Sequence, residues 1–168
     1  TSRDQKPPNP LEAEALNKAG LTIEGSGPSR QPSYRSIITP VPPLLTAAAA
    51  LGNVESRPDA DGIYRRVSLV VPFKDRRLPI LSFAAFYHFG SREPLSFQDG
   101  DLALGNLRLP LDQEGKFLLK FRGPSRSHRR FSAANVIKSA AQASHGLPPI
   151  YPPGDFAGKW VLVGLTAP

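Results

Sequence analysis

The stretch from Asp59 to Phe73, D-A-D-G-I-Y-R-R-V-S-L-V-V-P-F, limits the folds open to this chain more than any other. It opens as a turn. Asp side chains bond their own backbone two residues on, and Gly62 takes a positive φ without steric cost. A strand is expected to follow. Ile63, Arg65, Val67, Leu69 and Val71 fall on one face at period 2, and Tyr64, Arg66, Ser68, Val70 and Pro72 on the other. The end Leu69-Val70-Val71 is apolar on both faces and calls for cover on both sides. The arginines near its start belong at an edge or mouth, because a buried charge needs a partner. The same grammar returns at Leu109–Phe121, where the acidic turn Asp112-Gln113-Glu114-Gly115 feeds a hydrophobic segment.

Around this stretch the chain alternates helix and strand signals. Leu11–Ala19 reads as a short helix with Gly20 behind it as a C-cap, and Leu21–Glu24 as a short strand. Residues 25–43 carry Gly, Ser, Pro and Arg without periodicity and read as an exposed, mobile loop. An Ala-rich helix is expected from Pro43 to about Leu51. Lys74–Arg77 is a polar, hairpin-like connection, and Pro79 suits the first turn of a helix over Ile80–Phe89 that stops at Gly90. Gly105-Asn106 between Leu102–Leu104 and Leu107–Leu109 is a tight-hairpin signal. Lys116–Phe121 reads as a buried strand, and Ser132 as the N-cap of a helix over Ala133–Ala141. After the proline-rich segment 148–153, Trp160–Gly164 is an apolar run of central-strand type. The expected fold class is therefore α/β, a mixed sheet flanked by helices in a single domain over residues 11–168, with residues 1–10 as a loose tail.

Composition removes several function classes. The chain has 168 residues, 40% hydrophobic and 21% charged, which is globular rather than disordered. It has no cysteine, so disulfides, thiolate metal sites and cysteine nucleophiles are all absent. No apolar run reaches the roughly 18 residues of a membrane span. With no methionine and a Thr-Ser-Arg start, the chain reads as a fragment or processed form. The net charge of +7 is concentrated. Between Gly115 and Gly154 there is no acid, yet that window holds Lys116, Lys120, Arg122, Arg126, Arg129, Arg130 and Lys138. A basic patch attracts nucleic acid, anionic lipid or an anionic ligand.

Chemistry-bearing motifs are sparse. His88, His128 and His145 lie in unrelated settings without metal-ligand spacing. A nucleophile elbow, a P-loop and a dinucleotide fingerprint are all missing. Asp59 and Asp61 first read as turn formers, with a salt bridge to Arg65 or Arg66, or a cation site, as the alternatives; Asp112 and Glu114 repeat that ambiguity. The least bland segment is Arg122–Arg130, R-G-P-S-R-S-H-R-R, a basic loop ahead of a helix N-terminus that can hold an anion, against a solvated loop or one facing headgroups. It lacks the aromatic interleaving and motifs of a nucleic-acid binder, so no nucleic-acid partner is expected. The candidate ligand-binding residues are Arg65, Arg66, Arg122, Arg126, Arg129 and Arg130, and the structural turn residues Asp59, Asp61, Gly62, Asp112 and Gly115. No catalytic residue, cofactor or metal is assigned.

Four segments in order resemble one family, the CHASE2 sensor domain, an extracytoplasmic module of bacterial membrane receptors. Asp59–Val67 is similar to its D-x-D-G-x-x-R turn and strand, and Leu109–Gly115 to its P-x-D-x-x-G segment. Phe121-Arg122-Gly123-Pro124, with Phe131-Ser132 and Asn135-Val136, resembles its strand, loop and helix. Gly158–Ala167 resembles its G-K-x-V-x-V-G-x-T-A strand. The resemblance covers roughly residues 42–168. The family's N-terminal strand and the acidic, Thr-Pro segment after Ala167 are missing, so the chain reads as trimmed at both ends. If the missing strand belongs to the sheet, its edge is open to another chain, a homodimer included, or to a segment outside this sequence.

The resemblance implies a sensor and not a catalyst: a domain outside the cytoplasm, anchored through flanking membrane segments, that controls a cytoplasmic nucleotide cyclase, histidine kinase, serine/threonine kinase or diguanylate cyclase. Its expected partner is a small ligand, anionic in view of the acid-free window. The alternative is a structural or dimerisation module without a small-molecule ligand. An enzyme with a metal on Asp59 and Asp61 and a cytoplasmic nucleic-acid binder are further rivals.

Overall fold

The computed structural model describes residues 10–34, 36–90, 92–124 and 127–164. Two compact units divide the chain, Thr1–Lys120 and Phe121–Pro168.

The first unit begins with α1 (Pro10–Ala19), which carries proline at its start, where a missing N–H costs nothing, and closes with the Gly20 N–H donating to Leu16 O at 2.7 Å. The short α2 (Pro42–Ala47) ends four residues before the expected Leu51. Its last carbonyls are taken by the Lys18 ammonium of α1, which donates to Leu45 O, Thr46 O and Ala48 O at 2.8, 2.7 and 3.1 Å. A cation at a helix C-terminus also suits the helix dipole.

The pivotal stretch forms two strands, β1 (Arg66–Ser68) and β2 (Val70–Phe73), instead of one. Leu69 is a bend between them. The break has a packing cause. Leu69 and Val70 both join one apolar cluster, with Phe83, Leu95, Phe97, Leu102 and Leu104, while Val71 and Phe73 join a second, with Ala19 and Leu78. Continuous alternation cannot put adjacent residues into one cluster, so the chain bends and the parity shifts. The cover expected on both faces of Leu69–Val71 is present, and Phe73 is 1% exposed.

β2 turns through Lys74-Asp75, with Lys74 at φ 53°, into β3 (Arg76–Pro79). That strand occupies residues read from sequence as connection and helix start, and α3 (Leu81–Phe89) begins one residue late and ends at Gly90. Next come β4 (Leu95–Gln98), β5 (Asp101–Leu104) and β6 (Leu107–Leu109), an antiparallel meander. The Gly105-Asn106 hairpin is as expected; β4 and its Asp99-Gly100 turn were not. β7 (Lys116–Leu118) pairs antiparallel with β1. The expected buried strand Lys116–Phe121 is thus shorter and shallower, and Phe121 is exposed. Leu21–Glu24 makes only two isolated bridges, to Arg77 and Ser96. The class is α/β, its strands spread over three small antiparallel sheets, β1-β7, β2-β3 and β4-β5-β6.

In the second unit, α4 (Ala133–Ser144) starts after Ser132 and runs one turn longer than expected. Ser139 is buried on it. Its hydroxyl donates to Asn135 O at 2.8 Å and accepts from the Tyr151 N–H at 3.0 Å. Phe131 stacks near Tyr151 and Phe156, with ring centroids 5.0 and 4.8 Å away. The central strand expected at Trp160–Gly164 is not formed. These residues are irregular, and Leu162 and Val163 are 93% and 90% exposed. A β-branched run states a preference for pleated surface, but a strand exists only when another strand supplies its ladder, and none pairs with this run among the described residues.

Candidate functional site

The two acidic turns of the first unit form from their own chemistry. In the first, the Gly62 N–H donates to Asp59 O at 2.8 Å, and Asp61 Oδ1 accepts from the Ile63 N–H at 3.2 Å. In the second, the Gly115 N–H donates to Asp112 O at 2.9 Å, and Asp112 Oδ1 accepts from the N–H groups of Glu114 and Lys116, both at 2.9 Å. Gly62 and Gly115 sit at φ 82° and 76°, a region that side chains strain. The β1-β7 ribbon holds the turns near each other, with Ser68 opposite Lys116 and the Leu119 N–H donating to Arg65 O at 2.8 Å.

The arginines that follow the first turn are engaged by its acids. Arg65 Nη1 lies 2.8 Å from Asp61 Oδ2 and 3.5 Å from Asp59 Oδ2. Arg66 Nη1 donates to Asp59 Oδ2 at 3.0 Å, and its Nε reaches toward Asp112 Oδ2 at 3.8 Å, so Arg66 links the turns. The Arg65 guanidinium and the Ile63 N–H hold the Asp61 carboxyl below its ordinary range. The Glu114 carboxylate, 2.7 Å from Lys116 Nζ, pushes the Lys116 ammonium up; burial opposes this, and Asp112 and Asp59 add to it.

Between the turns opens a groove of about 500 Å³, lined by Arg30, Asp59, Arg66, Asp112, Glu114 and Lys116 among others. Arg30 reaches it because its backbone N–H donates to Gln113 O at 3.1 Å. Its neighbour Gln31 donates to Val70 O at 3.1 Å and accepts from Arg77 Nη1 at 2.7 Å. The segment read as a free loop is pinned there. Arg30 and Lys116 escaped the sequence reading as site residues. Lys116 carried a signal, standing two residues after Glu114 and directly after the turn's Gly115; Arg30 carried none, since its place depends on a bond to a distant residue.

Of the basic loop, Arg126 lies outside the described residues. Arg129 is bidentate on Asp155, at 3.1 and 3.3 Å, and covers the Phe131 ring at 4.9 Å. Arg122 and Arg130 are exposed, and neither has an ion-pair partner among the described residues. The five candidate arginines among the described residues are thus divided: Arg65 and Arg66 in the first unit, Arg122, Arg129 and Arg130 in the second. Among the described residues no group of three or more His, Asp and Glu is placed to hold a metal ion, and no helix is long and apolar enough to cross a membrane.

Comparison with curated proteins and with solved structures returned no match. The model of the CHASE2 domain matches residues 4–168, nearly the whole chain. With four segments similar to that family falling in its order, two of them the turns that frame the groove, the chain belongs to the CHASE2 family of extracellular sensor domains.

Proposed function

We propose that this domain senses a small ligand outside the cytoplasm and belongs to a bacterial transmembrane receptor, anchored by flanking membrane segments, whose cytoplasmic output is a nucleotide cyclase or a histidine kinase. The observation that carries this reading is the family match across residues 4–168. The geometry supports it: a packed scaffold carries a solvent-open groove whose walls are ion pairs, and ion pairs can exchange partners when a ligand arrives. For anion contact on the second unit, Arg122 and Arg130 are the arginines available among the described residues, since Arg129 is committed to Asp155.

The test is the topology of the full-length gene product. A reporter active only outside the cytoplasm is inserted at Ile38, which is fully exposed, and a cytoplasmic reporter is fused to the natural C-terminus. Activity of both supports the reading; an inactive reporter at Ile38, with the fusion stable, overturns it. A dimerisation module without a small-molecule ligand is the second reading, favoured by the exposed Ile137, Leu162 and Val163 of the second unit. Sedimentation equilibrium decides it: self-association that no ligand alters supports that module, and a monomer at all concentrations removes it.

A further inference from the structure

The groove beside the 112–115 turn has a charge pattern that selects among ligands. Three cations, Arg30, Arg66 and Lys116, and three acids, Asp59, Asp112 and Glu114, line it together. Two of the cations are occupied: Arg66 by Asp59 at 3.0 Å and Lys116 by Glu114 at 2.7 Å. Arg30 is different. Its backbone N–H is bonded, but its guanidinium has no hydrogen-bond or ion-pair partner among the described residues. The acids are likewise unequal. Asp112 spends Oδ1 on two backbone N–H groups and leaves Oδ2 with Arg66 Nε at 3.8 Å, beyond hydrogen-bond reach. The groove therefore offers one planar, five-donor cation and one carboxylate oxygen with capacity to spare.

Size and charge narrow the occupant. A space of about 500 Å³ suits an organic molecule better than a bare ion. A divalent anion such as phosphate would meet three carboxylates in the same groove, and like charges within about 4–6 Å disfavour one another. A simple cation would meet three cations. A molecule carrying one carboxylate and one ammonium satisfies both sides and leaves the existing pairs intact.

We propose that this groove binds a zwitterion of the α-amino acid class, its carboxylate forked on the Arg30 guanidinium and its ammonium on Asp112 Oδ2. The assignment deepens the sensor reading and rests on it for its purpose, though not for its geometry.

The standard L-amino acids are titrated singly into the 168-residue chain, with melting temperature and calorimetry as readouts. Beside them run the N-acetylated and the C-amidated counterparts of each binder, and inorganic phosphate. At least one amino acid should raise the melting temperature, and removing either charge should weaken binding by about tenfold or more, the equivalent of roughly 1.4 kcal/mol. Arg30→Gln should lose binding while melting as before without ligand, because Arg30 is exposed; Arg108→Gln, at an exposed arginine of β6 that does not line the groove, should bind as the parent does. No stabilisation by any amino acid, an acetylated form or phosphate binding as tightly, or an unaltered Arg30→Gln would each overturn the proposal. The topology experiment reads separately. A domain outside the cytoplasm that ignores amino acids loses only this assignment, and a cytoplasmic domain that binds them loses only the sensor reading.

Discussion

Gly115 joins the framing turn to the packed interior, and substituting it tests that joint. At φ 76°, an alanine bears the left-handed penalty of about 1–2 kcal/mol. A Cβ there would also overlap Gln31 Nε2 and lie 2.8 Å from Gln31 Cγ. Gln31 can yield only by releasing its hydrogen bonds to Val70 O and from Arg77. The first matters because Val70 is fully buried and, with the Ile80 N–H donating to Leu69 O beside it, stands at a non-hydrogen-bonded position of the β2-β3 ladder, so its carbonyl points away from β3. Each bond is worth about 1 kcal/mol net. Gly115→Ala should therefore cost about 3–4 kcal/mol. Gly62 is the internal control, at φ 82° with nothing within 4 Å of a Cβ, so Gly62→Ala should cost about 1–2 kcal/mol. Urea unfolding gives both values. In a Gln31→Ala background the cost of Gly115→Ala should fall to that of Gly62→Ala, a coupling of about 2 kcal/mol. Equal costs for the two glycines in the parent, or no coupling with Gln31, would refute the account of how the 112–115 turn is seated.

Phe73→Ala, at a side chain 1% exposed in the second apolar cluster, should destabilise the chain by about 3–5 kcal/mol in the same assay. Ser139→Ala leaves the Tyr151 N–H without its acceptor and should cost about 1–2 kcal/mol, with faster amide exchange at Tyr151 as the specific sign. Asp61 is held below its ordinary range in the folded chain. Its contribution is present above the unfolded carboxyl's pKa and is lost as pH falls through the lower folded value. Asp61→Asn should therefore flatten part of the acid limb of stability, read from urea midpoints between roughly pH 6 and 2. Lys116 is raised, so its contribution is complete below the unfolded lysine's pKa and is lost as pH rises through the higher folded value; Glu114→Gln should remove that alkaline loss.

The parts legible in the sequence were those whose causes are local. The two Asp-Gly turns, the Gly105-Asn106 hairpin, α1 and the closure of α3 at Gly90 follow from residues within a few positions of one another. Asp99-Gly100 between Phe97 and Leu102 was an equally local hairpin signal, and it marks β4. What stayed hidden depends on distant partners. Trp160–Val163 has strand composition but no neighbour to pair with among the described residues. The basic window misled in a related way, since a linear count of charge stopped one residue short of Asp155, which holds Arg129. Arg65 and Arg66 were expected at a sheet edge or mouth as ligand-binding residues, yet the carboxylates of the preceding turn already engage them. Their pairing was available as an alternative; which alternative forms is decided by how far the turn brings Asp59 back toward the strand.

The β1-β7 ribbon shows how so small an element can carry a site. Two strands of three residues are marginal on their own. Here Val67 and Phe117 are register partners, and both pack against the first apolar cluster, so one face is anchored by burial. Period 2 then sends Arg66 and Lys116, at the neighbouring positions, to the opposite face, where both line the groove. The alternation that builds the core therefore also delivers the charges. Rigidity on one side and exchangeable ion pairs on the other make a suitable receiver, because a ligand shifts a conformational equilibrium only by the difference in its affinity for the two states. Arg30 and the 112–115 turn are joined by a single backbone hydrogen bond. A molecule bridging the Arg30 guanidinium and Asp112 would contact both segments at once, so its binding energy would favour the arrangement in which the two are joined.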